Sequence, residues 1–176
     1  SIASAPDKLP NINIHYRPIP GSTHAQVMDE MLENESSFNI EGPLGEVILI
    51  TPRPEILFII AAGTGASQAT SLIESIEKRA SLTRTILWWS VSSKMDLYQN
   101  SYFSDPQKKI WLTYRSFIDN QHGNNMLVKE LKDRRSIYKK VDQYILAGPP
   151  GFVFACTDRL IAHGVDRIRL HSDTFN

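Results

Sequence analysis

An α/β fold, a five-stranded parallel sheet wound with helices on both faces, is predicted for the larger part of this 176-residue chain, and three observations predict it. Near-continuous apolar runs recur from residue 56 onward and alternate with helical stretches, the pattern of strands buried on both faces. Two of those runs, "ILFII" (56–60) and "QYILA" (143–147), pass straight into glycine turns that open helices. The first fifty residues instead read as short strands around one helix, a partial antiparallel β segment ahead of the parallel sheet.

In chain order, "NINIHYR" (11–17) alternates Ile12, Ile14 and Tyr16 with polar neighbours, the period of a half-buried strand. "STHAQVMDEMLEN" (22–34) sets Val27, Met28, Met31 and Leu32 on one helical stripe, with Ser22 as N-cap. "SFNIEGPLGEVIL" (37–49) gives two short strands around a Gly-Pro-Leu-Gly turn. The prolines of "TPRPE" (51–55) extend neither neighbour, so the boundary falls there and divides the chain into residues 1–52 and 53–176. Beyond it, "ILFII", "TILWWS" (85–90), "KIWLTY" (109–114), "QYILA" and "RIRLH" (167–171) are the five strands. Helices are expected at 67–80, 124–135 and 151–163, with a shorter one around 95–102.

Composition removes several function classes. An apolar share of 41% with three tryptophans describes a globular chain. No apolar run approaches the ~20 residues of a membrane span, and no basic-then-apolar signal opens the sequence. The single cysteine, Cys156, excludes an internal disulfide and a cysteine-rich zinc site, and makes a reducing, cytoplasmic setting the default. Five histidines form no His-x-x-x-His pair, so no metal site is expected. The zero net charge hides an asymmetry: two basic against seven acidic side chains in residues 1–50, and 17 against 12 in the remainder. A basic second part suits a polyanion such as a nucleotide, or is simply a solvated surface. Nucleic acid is not expected as a partner, because no aromatic–basic stacking motif accompanies the charge.

The turn "AAGTGASQAT" (61–70) admits two readings, a phosphate cradle at a helix N-terminus or an ordinary strand-to-helix turn. The dehydrogenase fingerprint Gly-x-Gly-x-x-Gly fails, because Gln68 takes the third slot. The acid that fingerprint wants after the second strand is also missing: "WWSVSSK" (88–94) offers Ser92, Ser93 and Lys94, which tolerate a 2′-phosphate or form a plain polar loop. In "AGPPGF" (147–152), two prolines make a rigid shelf without N–H groups, flanked by glycines that admit a flat ligand.

"FIIAAGTGASQATSLI" (58–73), "YILAGPPGF" (144–152) and "RIRLHSDTF" (167–175) resemble the nucleotide-binding half of the ferredoxin–NADP reductase superfamily. "SIASAP" (1–6) resembles the tail of that family's Arg-x-Tyr/Phe-Ser-x-Ala-Ser flavin motif, and "EGPLGE" (41–46) its Gly-Pro-x-Gly turn. The subgroup most resembled is the NAD(P)H:flavin oxidoreductases, or flavin reductases. The resemblance implies a C-terminal part of a flavin-binding barrel domain over 1–52, an NAD(P)-binding domain over 53–176, and hydride transfer from NADH or NADPH to a flavin. It places Gly63, Thr64, Gly65 and Ser67 at the pyrophosphate and nicotinamide ribose, and Ser92, Ser93 and Lys94 at the adenine-side ribose. Gly148, Pro149, Pro150, Gly151 and Phe152 would line the nicotinamide and adenosine path. Ser1 matches the catalytic serine that donates toward flavin N5, and Ile2, Ala3 and Ser4 would follow the isoalloxazine edge. Phe175 stands at the terminal aromatic that shields the flavin, or closes the core as a tail residue.

Three departures qualify the resemblance. Ala147 stands where many relatives carry cysteine, and Cys156 reads as a buried apolar residue. "GSTHAQVM" (21–28) lacks a signature for tight FAD, so FAD or FMN is expected loosely held or as substrate. The sequence opens inside the flavin motif and is read as lacking the N-terminal part of the flavin domain, hence as poorly active alone and prone to dimerise through unpaired strand. Two other readings stay open: the reductase component of a multicomponent oxygenase, passing electrons to an acceptor protein, and a nucleotide-binding electron-transfer subunit completed by a partner chain. With neither an acid nor an arginine after the second strand, use of both NADH and NADPH is expected.

Overall fold

In the computed structural model, residues 1–34, 37, 39, 45, 47–50, 52–78, 82–119, 126–131 and 140–175 are described. Five parallel strands form one sheet: β1 (Ile56–Ala62), β2 (Arg84–Val91), β3 (Leu112–Ile118), β4 (Gln143–Ala147) and β5 (Leu170–His171), in the order β3-β2-β1-β4-β5. Strand order reverses between β1 and β4, which run side by side with Ala61 opposite Ala147.

Alternation along β1 divides the core. Leu57, Ile59 and Ala61 face one layer with Ala66, Ala69, Ile73 and Ile76 of helix α2 (Ala66–Lys78). Their spacing sets four side chains on one stripe of that helix. Phe58 and Ile60 face the other layer, with Phe152, Val153, Cys156 and Leu160 of helix α5 (Pro150–Ala162). Among the described residues the other helices are α1 (Thr23–Asn34), α3 (Asn100–Phe103) and α4 (Met126–Glu130). A sheet covered on both faces is the expected fold class.

Several elements differ from their expected form. "KIWLTY" enters the sheet only at Leu112, because Asp105 accepts from Gln107 N and Pro106 follows it, starting a 3-10 turn over Pro106–Ile110. Asp166 does the same for Arg167–Arg169, leaving Leu170 and His171 to pair with Tyr144 and Ile145. Around 95–102 there is a 3-10 turn, Lys94–Asp96, followed by α3. The helix expected at 124–135 is described over Met126–Glu130.

In residues 1–50 the expected strand 11–17 makes a single antiparallel bridge, Ile2 with Ile14. Strand character requires a paired neighbour, and without a longer ladder Ile12 and Ile14 stay exposed. The turn expected at Gly42–Pro43 lies outside the described residues, and Val47–Ile50 are not in a strand. Helix α1 forms where expected, but of its residues only Ala25 is buried; Val27 and Leu32 are each 51% exposed.

The N-terminal stretch is docked on α2. Glu74 Oε2 accepts from Ala5 N at 3.0 Å, Ser71 Oγ donates to Ser4 O at 2.9 Å, and Lys78 pairs with Asp7. Ala3, Ser4 and Ala5 are buried there. Among the described residues, no helix is long and apolar enough to cross a membrane, and no group of His, Cys, Asp or Glu could hold a metal ion.

Candidate functional site

Where β1 and β4 end, their connections leave to opposite faces of the sheet and open a crevice, the usual ligand position in such folds. Here the crevice is a cleft of about 570 Å³. One wall is the exit of β1, Ala62 to Gly65 with Gln68; a second is the exit of β4, Ala147 to Pro149 with Phe152. Ser90, Val91, Ser92 and Asp119 line it from the ends of β2 and β3, and Ser1, Arg17 and Ile19 from the N-terminal segment. Ser172, Asp173 and Thr174 complete the lining.

The two glycines of the β1 turn are required for different reasons. Gly63 adopts φ +53°, and nothing lies within 4 Å of where a Cβ would stand, so the turn borders open space. At Gly65 a Cβ would fall 2.3 Å from the carbonyl oxygen of Ala147. Its missing side chain lets α2 start against the end of β4, rather than leaving room for a ligand. Trp89 Nε1 donates to Gly63 O at 2.9 Å and Ser67 Oγ to Thr64 O at 2.7 Å, which hold two carbonyls of the turn in place.

The sequence-predicted residues distribute unevenly. Gly63, Thr64, Gly65, Ser92, Gly148, Pro149, Phe152 and Ser1 line the cleft. Ser67 is wholly buried, with its hydroxyl committed to the turn. Pro150 and Gly151 are exposed in the first turn of α5, outside the lining. Ser93 Oγ donates to Asp96 Oδ2 at 3.1 Å in a capping box, and Lys94 is an exposed member of that turn, outside the cleft lining. Ile2 is exposed beside Ser1, whereas Ala3 and Ser4 are buried, Ser4 Oγ accepting from Asn13 N at 3.1 Å. Phe175 ends the 3-10 turn Asp173–Phe175, next to the cleft residues Asp173 and Thr174.

Arg17, Gln68, Ser90, Asp119 and Asp173 are cleft residues that the sequence reading did not single out. Gln68, the residue in the failed third glycine slot, donates to Asp173 Oδ2 at 2.5 Å and so ties α2 to the C-terminal segment. Asp173 Oδ1 also accepts from Val47 N at 3.2 Å. Arg17 pairs with Asp96 at 3.3 Å. Only chain contacts far apart in sequence bring these groups together; the failed glycine slot was the one local signal.

Histidine chemistry stays at the margin. His15 contacts Tyr98 OH through Nδ1 at 2.9 Å, and burial, reinforced by the N-terminal amino group, lowers its pKa. Burial also lowers His171. Burial pushes the Cys156 thiol up to about 12, so this side chain is an inert core residue outside the cleft.

No family model matches the chain. Reductase component 2 of terephthalate 1,2-dioxygenase from Comamonas sp is 27% identical over 115 residues, 65% of this chain and 34% of that protein. The ferredoxin–NAD(P)(+) reductase component of the naphthalene 1,2-dioxygenase system from Pseudomonas putida is 26% identical over 98 residues, 56% of this chain and 30% of that protein. The matches therefore span about a third of the length of these curated relatives. Among solved structures, a ferredoxin NADP+ reductase from Neisseria gonorrhoeae with bound FAD and NADP superposes with a TM-score of 0.70 at 17% identity, covering 98% of this chain and 77% of that one.

Proposed function

Because its sequence relatives and fold neighbours are ferredoxin–NADP reductase-like oxidoreductases, we propose that this chain carries the nicotinamide-nucleotide part of an NAD(P)H-dependent flavin oxidoreductase. The observation that carries the proposal is the β1/β4 cleft. A glycine turn open to solvent, the N-terminus of α2 and a rigid proline turn converge there, opposite a wall of residues from the N-terminal segment.

In this reading, residues 53–176 form the nucleotide domain and residues 1–52 the end of a flavin domain. The open face of Gly63 and the first turn of α2 fit a pyrophosphate, because helix N-termini present N–H donors and positive potential. Arg17 is the cationic side chain among the described lining residues; paired with Asp96 of the turn after β2, it adds positive charge to the cleft. Gly148, Pro149 and Phe152 offer a flat, stiff surface for the nicotinamide. Ser1 and Ile2 are the members of the opening motif exposed toward a flavin edge, since Ala3 and Ser4 are packed beneath. Bound FAD or FMN would accept a hydride from NADH or NADPH, and the chain's contribution is to bind the donor and orient it.

A second reading is favoured by the relatives' names: a reductase component of a multicomponent oxygenase, delivering electrons to an acceptor protein. Both readings share the same nucleotide step, and a lone buried cysteine accords with a reducing, cytoplasmic setting. The test is anaerobic flavin reduction. Reduced nicotinamide nucleotide, mixed with the chain and FAD, FMN or riboflavin, should bleach the flavin faster than without the chain. No acceleration with any of the three would overturn hydride transfer by this chain on its own and leave it a nucleotide-binding module.

A further inference from the structure

We propose that Trp89 is a positioning residue for the dinucleotide: by gripping the Gly63 carbonyl, it aims the Thr64 N–H at the pyrophosphate. The inference rests on the nucleotide reading above and deepens it. Trp89 itself touches no ligand, because it is wholly buried and lies outside the cleft lining.

Strand register puts the indole there. Trp89 of β2 pairs with Ala61 of β1, just before the Gly63 turn, on the sheet face that α2 covers. Tyr98 and Phe103 stand edge-on to its ring, with centroids 5.4 and 5.7 Å away, and fix the ring's orientation. Nε1 then donates to Gly63 O at 2.9 Å. Ala66 N donates to the same oxygen, so both of its acceptor positions are filled from within the protein.

A trans peptide points its N–H opposite to its carbonyl. Holding Gly63 O toward β2 therefore turns the Thr64 N–H away from β2, in a turn whose residues line the cleft. Gly63, at φ +53° with open space around its Cβ position, has no side chain to resist rotation of that peptide. The restraint has to come from elsewhere. Ser67 holds the next carbonyl, Thr64 O, but from the helix that the turn itself opens. Trp89 ties the turn to a neighbouring strand of the sheet. A donor fixed in this way needs no reordering when a phosphate arrives, which raises affinity without adding a contact.

Calorimetric titration of the whole chain with ADP-ribose tests this without nicotinamide or flavin. Trp89→Phe keeps a ring for Tyr98 and Phe103 and removes the donor, and should weaken ADP-ribose about three- to tenfold. Phe103→Leu disturbs the same aromatic cluster without a bond to the turn. It should lower the thermal midpoint yet hold the affinity within about twofold. In the unaltered chain the Trp89 Nε1–H resonance, identified by its nuclear Overhauser contact with Gly63, gives a measurement that needs no variant to fold. A phosphate on the Thr64 N–H polarises the shared peptide and strengthens its carbonyl as an acceptor, so the indole resonance should move along the same saturation curve as the Thr64 amide. Unchanged affinity in folded Trp89→Phe overturns the inference, as does equal weakening by Phe103→Leu or a stationary indole resonance in a chain that binds. Silence with ADP-ribose, from an unaltered chain whose thermal melt shows it folded, overturns the nucleotide reading itself and takes this inference with it.

Discussion

Single residues in the β1 turn separate what the fold needs from what a ligand would need. A methyl group at position 65 would overlap the Ala147 carbonyl, so Gly65→Ala should cost about 1–3 kcal/mol of stability, read by chemical denaturation. Loss of binding in that variant would follow from a displaced turn, not from a blocked ligand. Gly151 has open space about it, and Gly151→Ala should leave stability within about 0.5 kcal/mol. His15 gives a pH signature. Its pKa is lowered in the folded chain by burial and then by the N-terminal amino group, from the ordinary 6.5. Below that value the unfolded chain binds a proton that the native chain resists, so stability is complete above about pH 6.5 and falls as pH drops through the window beneath it. The urea midpoint should accordingly be lower at about pH 5.5 than at about pH 7.5, and His15→Gln should flatten the difference.

At the scale of elements, apolar periodicity reveals which face of a helix is apolar but not what covers it. The stripe on α2 meets the sheet, with Ile73 fully buried, and Ile73→Ala should cost about 2–5 kcal/mol. The equally regular stripe on α1 is exposed, so Leu32→Ala should change the denaturation midpoint by less than about 0.5 kcal/mol equivalent. Equal losses for the two would show that α1 is packed in solution. Strands β1, β2 and β4 were legible because buried parallel strands are apolar throughout. The starts of β3 and β5 were not, since Asp105 and Asp166 divert apolar-looking residues into 3-10 turns. In "NINIHYR" the alternation was present, but a strand needs a ladder of paired neighbours, and here the pairing is one bridge, Ile2 with Ile14.

Over the whole molecule, the glycine and proline turns at the sheet's reversal point were visible in the sequence because local backbone chemistry specifies them. The far end of the cleft was invisible there. Asp119 reaches Ser90 through strand register, and Arg17 reaches the β2 edge through docking of the N-terminal segment on α2. Neither leaves a local signal. If Arg17 serves phosphate, Arg17→Ala should weaken NADH and NADPH by the same factor, about three- to tenfold, and the loss should shrink as salt is raised. The central claim is that a dinucleotide occupies the β1/β4 crevice, and amide chemical-shift mapping with ADP-ribose tests it most directly. The account predicts saturable shifts concentrated at Gly63–Gly65, Ser90–Ser92, Asp119 and Gly148. Shifts absent from those amides, or gathered on a different face of a folded chain, would contradict it.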